Sequence, residues 1–367
     1  MSFIHNNCSY LMSKINSLLI YKNRFMQSFL LCSLLVCVLT GCSNSNFEKT
    51  KGSDNPPYIS KSSFLLNTIV SVNIYDKQEE KLLDECFDLI AKYEAIYSRT
   101  VESSELYALN SGSASHNGLT YQISEEMSDI LQYGLYYSKL SDGAFDISVA
   151  PITSLWDFTA FNPKVPSRED IANALSYVNY EYIQLNETQV TFSKQGVGID
   201  FGAIAKGYIA DKVKEYLLAN GVKSAMINLG GNVLCVGEKI DGTPFKVGIQ
   251  KPFDDRNETI AIIEISDLSV VSSGIYERYF NLDGVSYHHI LNPETGYPYN
   301  NDLVSVTIIS RASVDGDGLS TTCFALGLEK GLALIKNLPD TYAVFITKDY
   351  DIYYSEGFKS AIHVIEQ

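Results

Sequence analysis

The chain has 367 residues, 46% of them apolar, with a formal charge of −15 from 28 basic and 43 acidic side chains. That length and apolar content supply a sizeable core and exclude disorder over most of the chain. The acidic balance repels phosphate backbones, so nucleic acid is excluded as a partner, and a compact anionic ligand would need a local cation or metal.

The N-terminus reads as an export signal. Lys14, Lys22 and Arg24 supply positive charge around the start of the apolar run Phe29 to Leu39. A run of about eleven apolar residues suits a signal core and is too short to span a bilayer comfortably. It ends in Leu39-Thr40-Gly41-Cys42, a lipobox-like pattern. Residues 1–41 are then a signal peptide, and Cys42 is the acylated first residue of an extracytoplasmic lipoprotein anchored to the bacterial membrane. The polar stretch 42–58 reads as a tether, and one folded domain is expected over 59–367. Beyond Cys42 only Cys86, Cys235 and Cys323 remain. Scattered and odd in number, they read as buried thiols, not as a disulfide framework or a zinc site.

Residues 63–75 are β-rich. Residues 77–97 carry Leu82, Leu83, Phe87, Ile90 and Tyr93 near helical spacing. Further helices are predicted over 123–140 and 168–177, the latter capped by Ser167. Short strands fit 181–185, 189–193 and 196–200. A helix then covers 203–219 and stops at Asn220-Gly221. Residues 224–311 are mostly short β-segments, 316–327 and 329–337 read as helices, and 341–347 and 351–355 close the chain as strands. Strands and helices are grouped, not alternating, which predicts an α+β fold of mixed or antiparallel sheets with packed helices.

Several segments could carry chemistry. On a helix, Asp317 and Thr321 stand one turn apart on the same face. A carboxylate and a hydroxyl are hard oxygen ligands suited to Mg²⁺; alone, the pair also fits an acid near a helix N-terminus beside a solvated Thr. Asp200, Gly202, Lys206 and Gly207 sit where a strand meets a helix, a place whose free N–H groups attract phosphates. It is neither a Walker sequence nor a dinucleotide fingerprint. Gly230-Gly231 marks a turn or a ligand loop. His288-His289 offers a base near neutral pH, or one packed and one exposed ring. Asp146, after Asp142-Gly143, caps a helix or binds a ligand.

Together and in this order these segments resemble the ApbE family, the FAD:protein FMN transferases, from Leu66-Asn67-Thr68 to about Gly327. The resemblance rests on Ser104-Glu105-Leu106 with Leu109-Asn110, on DGAFDIS (142–148), VGIDFGAIAKGYIAD (197–211), INLGGN (227–232), VSSGIYERYF (271–280), YHHILNPETG (287–296) and DGLSTT (317–322). It implies a single catalytic domain that moves FMN from FAD to a Thr or Ser hydroxyl of an acceptor flavoprotein, releasing AMP. The acceptor would belong to a membrane or extracellular redox system. Mg²⁺ would be held by the carbonyl of Ala203 with Asp317 and Thr321. Asp200 and Lys206 would contact FAD. Ala144, Phe145 and Asp146 would line the flavin nucleotide site with Ile290, Leu66 would pack on the flavin ring, and His289 would be the general base. The chain departs from the family where Leu66-Asn67 replaces Met-Gly and where Ser320 stands in place of a second Asp. The same residues would serve an FAD pyrophosphatase, with water as acceptor, and part of them a non-catalytic flavin-binding lipoprotein.

Overall fold

Two left-handed residues make the first turn. Leu66 and Asn67, at φ 54° and 56°, fold strand β1 (Ile59–Leu65) back on β2 (Thr68–Ile74). The stretch 63–75 is therefore the end of one strand and most of the next, reversed at an Asn that tolerates this backbone. The computed structural model describes residues 58–254 and 258–365. The leader, Cys42 and the tether through residue 57 lie outside them.

The chain continues through α1 (Glu80–Tyr97), α2 (Glu105–Ser111), β3 (His116–Asn117), β4 (Thr120–Gln122), α3 (Glu125–Leu140), α4 (Ala150–Thr153) and α5 (Arg168–Leu175). Next come β5 (Ile183–Asn186), β6 (Gln189–Phe192), α6 (Ala205–Ala219), β7 (Ser224–Leu229), β8 (Asn232–Gly237), β9 (Phe245–Gln250) and β10 (Thr259–Ile265). The remainder is β11 (Ser269–Gly274), β12 (Tyr279–Leu282), β13 (Val285–His288), β14 (Leu303–Ser310), α7 (Ser313–Ile335), β15 (Tyr342–Thr347), β16 (Ile352–Tyr354), α8 (Phe358–Ala361) and β17 (His363–Ile365). The fold is α+β. Its centre is an eight-stranded antiparallel sheet in the order β1-β2-β7-β8-β11-β14-β15-β16. Smaller antiparallel sheets join β17-β10-β9, β12-β13 and β3-β4-β6-β5.

Both faces of the central sheet are covered. Ala225, Ile227, Leu229, Leu234, Val236, Val306, Ile308 and Phe345 face a core shared with α1, α3, α6 and α7. The alternate residues Cys235, Val270, Ile309 and Val344 join Phe245, Ile249, Ile263 and Phe358 in a second core against the β17-β10-β9 sheet. Period-two alternation thus places apolar residues on both sides, which is why every residue of β14 is buried. Each fully buried aliphatic side chain there contributes about 1.5–3 kcal/mol relative to exposure.

Two local readings change. The short helix α2 is absent from the sequence pattern; it is capped by Ser104, whose Oγ accepts the Tyr107 N–H, and ends at left-handed Gly112. Residues 196–200 do not form a strand. Instead, Asn110 stands in for a neighbouring strand, its Oδ1 accepting the Ile199 N–H at 2.7 Å and its Nδ2 donating to the Ile199 carbonyl at 2.8 Å. The predicted helices 316–327 and 329–337 are both present, separated at Gly327, whose φ 79° and ψ 176° only glycine adopts readily; they are numbered together as α7. Cys86, Cys235 and Cys323 are free and buried, each thiol pushed up to about 12 by desolvation.

Candidate functional site

The site is built where α6 meets the start of α7. The two helices touch at Gly207, where an added Cβ would lie 2.3 Å from the Ser313 carbonyl oxygen. This contact permits a bond from one helix to the other: the Gly207 N–H donates to Asp317 Oδ2 at 2.6 Å. Gly207 is the third residue of α6, so its N–H is one of the first-turn donors that find no carbonyl within the helix. The Ala203 carbonyl, in the turn before α6, has no hydrogen-bond donor among the described residues. Asp317 is 4% exposed. Its Oδ1 lies 3.8 Å from Lys206 Nζ, an ion pair beyond hydrogen-bond reach.

Asp211, on the same helix, holds the other end of this junction. α7 has no side-chain cap of its own. The Asp211 carboxylate supplies one from α6, accepting the Ser313 and Val314 N–H groups at 2.8 Å each. Its burial raises the carboxyl to about 6. Asp315, pointing the other way along α7, accepts from the Tyr137 hydroxyl at 2.5 Å.

One turn along α7, Thr321 Oγ1 lies 3.1 Å from Ser273 Oγ on β11. Ser273 Oγ is also 2.8 Å from Ser320 Oγ, and Ser320 Oγ donates to the Asp317 carbonyl at 3.0 Å. Ser320 is fully buried in this chain of hydroxyls.

Asp200 is placed by Asn110 through Ile199 and by its own N–H, which donates to the Ile147 carbonyl at 2.8 Å. Its carboxylate is already engaged. Arg99 pairs with Oδ2 at 2.9 Å, the Thr153 hydroxyl donates to Oδ2 at 2.8 Å, and the Gly202 N–H donates to Oδ1 at 2.8 Å. Asp146 is similarly occupied, accepting from the Ser148 and Tyr180 N–H groups at 2.7 and 2.9 Å. Both oxygens tie down the 144–148 turn, and desolvation pushes the carboxyl up. Phe145 is buried against Tyr137. The Ala144 carbonyl accepts the Tyr299 hydroxyl at 2.8 Å, and the Tyr299 N–H donates to the Ile290 carbonyl at 3.0 Å, which links the 144–148 turn to Ile290. Leu66 lies in the β1–β2 turn, its N–H donating to Glu94 at 2.8 Å.

The two histidines divide as one packed and one more open ring. His288 is buried, with Nε2 at 2.9 Å from the Tyr299 carbonyl and Nδ1 at 3.3 Å from the Ile290 N–H. A carbonyl only accepts and an N–H only donates, so this is the neutral Nε2–H tautomer. Desolvation lowers it to about 4. His289 is half-buried. Its Nδ1 faces the Arg278 carbonyl at 3.3 Å, so Nδ1 carries the hydrogen and Nε2 keeps its lone pair. Desolvation, helped by Arg278, His288 and Lys206, lowers it to about 3.

Arg99 and Thr153 are site residues that the sequence pattern did not single out, while Asn110, Ser273 and Arg278 lay inside the resembling motifs with no role assigned to them. A cavity of about 630 Å³, lined by Tyr133, Tyr208, Asp211, Glu215 and Asp315, opens beside the Asp211 end of this junction. On α6, Tyr208, Asp211 and Glu215 lie on the face opposite Lys206.

The sequence model of the ApbE family matches residues 66–346. An FAD:protein FMN transferase of Klebsiella pneumoniae is 38% identical over 302 residues, covering 82% of this chain and 92% of that one. Another of Treponema pallidum is 31% identical over 352 residues, covering 91% and 95%. The ApbE protein of Thermotoga maritima superposes with a TM-score of 0.75 at 31% identity, covering 83% of this chain and 99% of its own. The flavin transferase ApbE of Vibrio cholerae gives 0.74 at 27% identity, with the same coverage. The family match and the two relatives span most of the chain, and the chain belongs to the ApbE family.

Proposed function

We propose that this protein is an FAD:protein FMN transferase that moves FMN from FAD to a Thr or Ser hydroxyl of an acceptor flavoprotein and releases AMP. The observation that carries the reading is the α6–α7 junction. There the Gly207 N–H binds the buried Asp317 carboxylate, and the Ala203 carbonyl in the turn before α6 has no donor among the described residues. The Ala203 carbonyl, Asp317 Oδ1 and the Thr321 hydroxyl would hold Mg²⁺. The donor set fits that ion: all three are hard oxygens, and Mg²⁺ takes few protein groups. Among the described residues no three His, Cys, Asp or Glu side chains cluster as a metal site, so a thiolate or imidazole centre is not the alternative. When bound, the ion would neutralise charge on the FAD diphosphate.

Phosphoryl transfer needs positioning and charge compensation more than covalent chemistry from the protein. Lys206 supplies a cation beside the diphosphate, and α6, which has no side-chain cap, presents its N-terminal dipole to the same anion. The acceptor hydroxyl bonds to the FMN-side phosphorus while the bond to the AMP oxygen breaks. Nε2 of His289 takes the hydroxyl proton. In the free protein that imidazole is a weak base, because desolvation and then Arg278, His288 and Lys206 disfavour its charged form. An anionic diphosphate beside it offsets these cations and raises its basicity when substrate is in place. The Asp200–Arg99 pair holds the 200–204 turn, which carries Ala203.

The lipobox at Leu39–Cys42 supports an exported, lipid-anchored protein whose acceptor is a flavin-carrying redox protein of the membrane or outside it. The test is to incubate the purified protein with FAD, Mg²⁺ and a candidate acceptor, and to follow AMP release and the FMN mass added to the acceptor. Asp317→Ala abolishes both. Full activity in that variant overturns the metal assignment, and equal AMP release without acceptor converts the reading to an FAD pyrophosphatase.

A further inference from the structure

The hydroxyl chain behind Thr321 has a direction. Ser320 Oγ donates to the Asp317 carbonyl, which only accepts. A hydroxyl has one hydrogen, so Ser320 must accept from Ser273, 2.8 Å away. Ser273 has then spent its own hydrogen and must accept from Thr321, 3.1 Å away. This order uses all three hydrogens. The reverse order leaves the Asp317 carbonyl without its side-chain donor and aims the Thr321 hydrogen toward the site.

Resting on the reading that Thr321 is a ligand of the divalent cation, we propose that Ser273 and Ser320 are positioning residues that make the Thr321 hydroxyl a pure acceptor. Its hydrogen is drawn back into the β11–α7 interface, which leaves its lone pairs for the cation. Neither serine touches the cation. Ser320 does its part while fully buried. This chain therefore uses Ser320 to orient a neighbouring ligand, not as a ligand through water.

The test is Mn²⁺ binding to the full-length protein, read by electron paramagnetic resonance without FAD, beside the melting temperature of the metal-free protein. Ser320→Ala and Ser273→Ala each weaken Mn²⁺ binding by about tenfold or more, as loss of outer partners of a metal ligand does. Ser273→Thr keeps the hydroxyl and restores wild-type affinity. In a Thr321→Val background, adding Ser320→Ala changes affinity no further, because the serine acts only through the threonine. A purely structural role would lower the melting temperature and leave affinity in place. Loss of binding in Asp317→Asn together with unchanged binding in both serine variants overturns the relay and leaves the cation reading standing. Unchanged binding in Asp317→Asn overturns the cation reading, and the relay with it.

Discussion

Asp317 and Gly207, 110 positions apart, are joined by a hydrogen bond of 2.6 Å from a backbone N–H to a buried carboxylate oxygen. The bond exists because Gly207 has no Cβ, and it satisfies a first-turn N–H that α6 itself leaves without a carbonyl. Gly207→Ala forces its new methyl against the Ser313 carbonyl, a backbone atom that cannot swing away. The expected cost is about 1–3 kcal/mol in urea unfolding. FAD-dependent AMP release should fall further than the lost stability explains, and wild-type activity in a folded variant would break the link between this contact and the site.

Asn110 pairs both backbone groups of Ile199, which is fully buried. Asn110→Ala leaves a buried donor and a buried acceptor without partners. Destabilisation of about 2–4 kcal/mol is expected in denaturant melts. Asp200 follows Ile199 directly, so the KM for FAD should rise as well. A variant as stable as the wild type would show that water or the chain replaces Asn110 at no cost.

Acid should weaken the fold through His288. Its folded pKa, about 4, lies below the ordinary 6.5. Between those values the unfolded chain binds a proton that the native chain refuses, so stability is full above the upper value and is lost as pH falls toward the lower one. The loss is on the order of a few kcal/mol. Asp211 acts with the opposite sign, since its folded value is raised to about 6 and acidification through that range favours the fold. Melting temperatures from pH 7 to pH 4.5 in the wild type and in His288→Gln separate the two. The variant should lose part of the acid sensitivity; an unchanged pH profile would remove His288 from this role.

His289→Gln should lower kcat by about 10²–10⁴-fold with little change in the KM for FAD, the signature of a lost proton acceptor. Because the free-protein value is about 3, kcat/KM should show no break from His289 between pH 5 and pH 7. A limb near pH 6.5 that disappears in the variant would contradict that assignment.

Patterned elements were legible in the sequence because their own spacing encodes them. The apolar stripe of α1, the Ser167 cap of α5 and the paired acid and hydroxyl of α7 are local properties, set within a few turns of chain. The ordered motifs from 142 to 322 identified the family for the same reason. The hairpin at Leu66–Asn67, by contrast, reverses inside a continuous β-rich run with no glycine or proline to mark it. The failure of 196–200 to become a strand depends on Asn110, and no local rule reports a side chain that replaces a strand.

By itself the sequence determined which chemistry is available: a carboxylate and a hydroxyl one turn apart, a lysine near a helix start, a pair of imidazoles, and no usable thiol or zinc pattern. Only the tertiary structure decided how those groups are employed. It engaged both oxygens of Asp200 and Asp146 with donors, kept an oxygen of Asp317 open, packed His288 and left Nε2 of His289 unprotonated. It also lined up the hydroxyls of Thr321, Ser273 and Ser320 with the Asp317 carbonyl. The reason is that a polar atom's role depends on which neighbours already satisfy it. Those neighbours come from helices and strands far away in the chain, so the bookkeeping closes only once they are packed together.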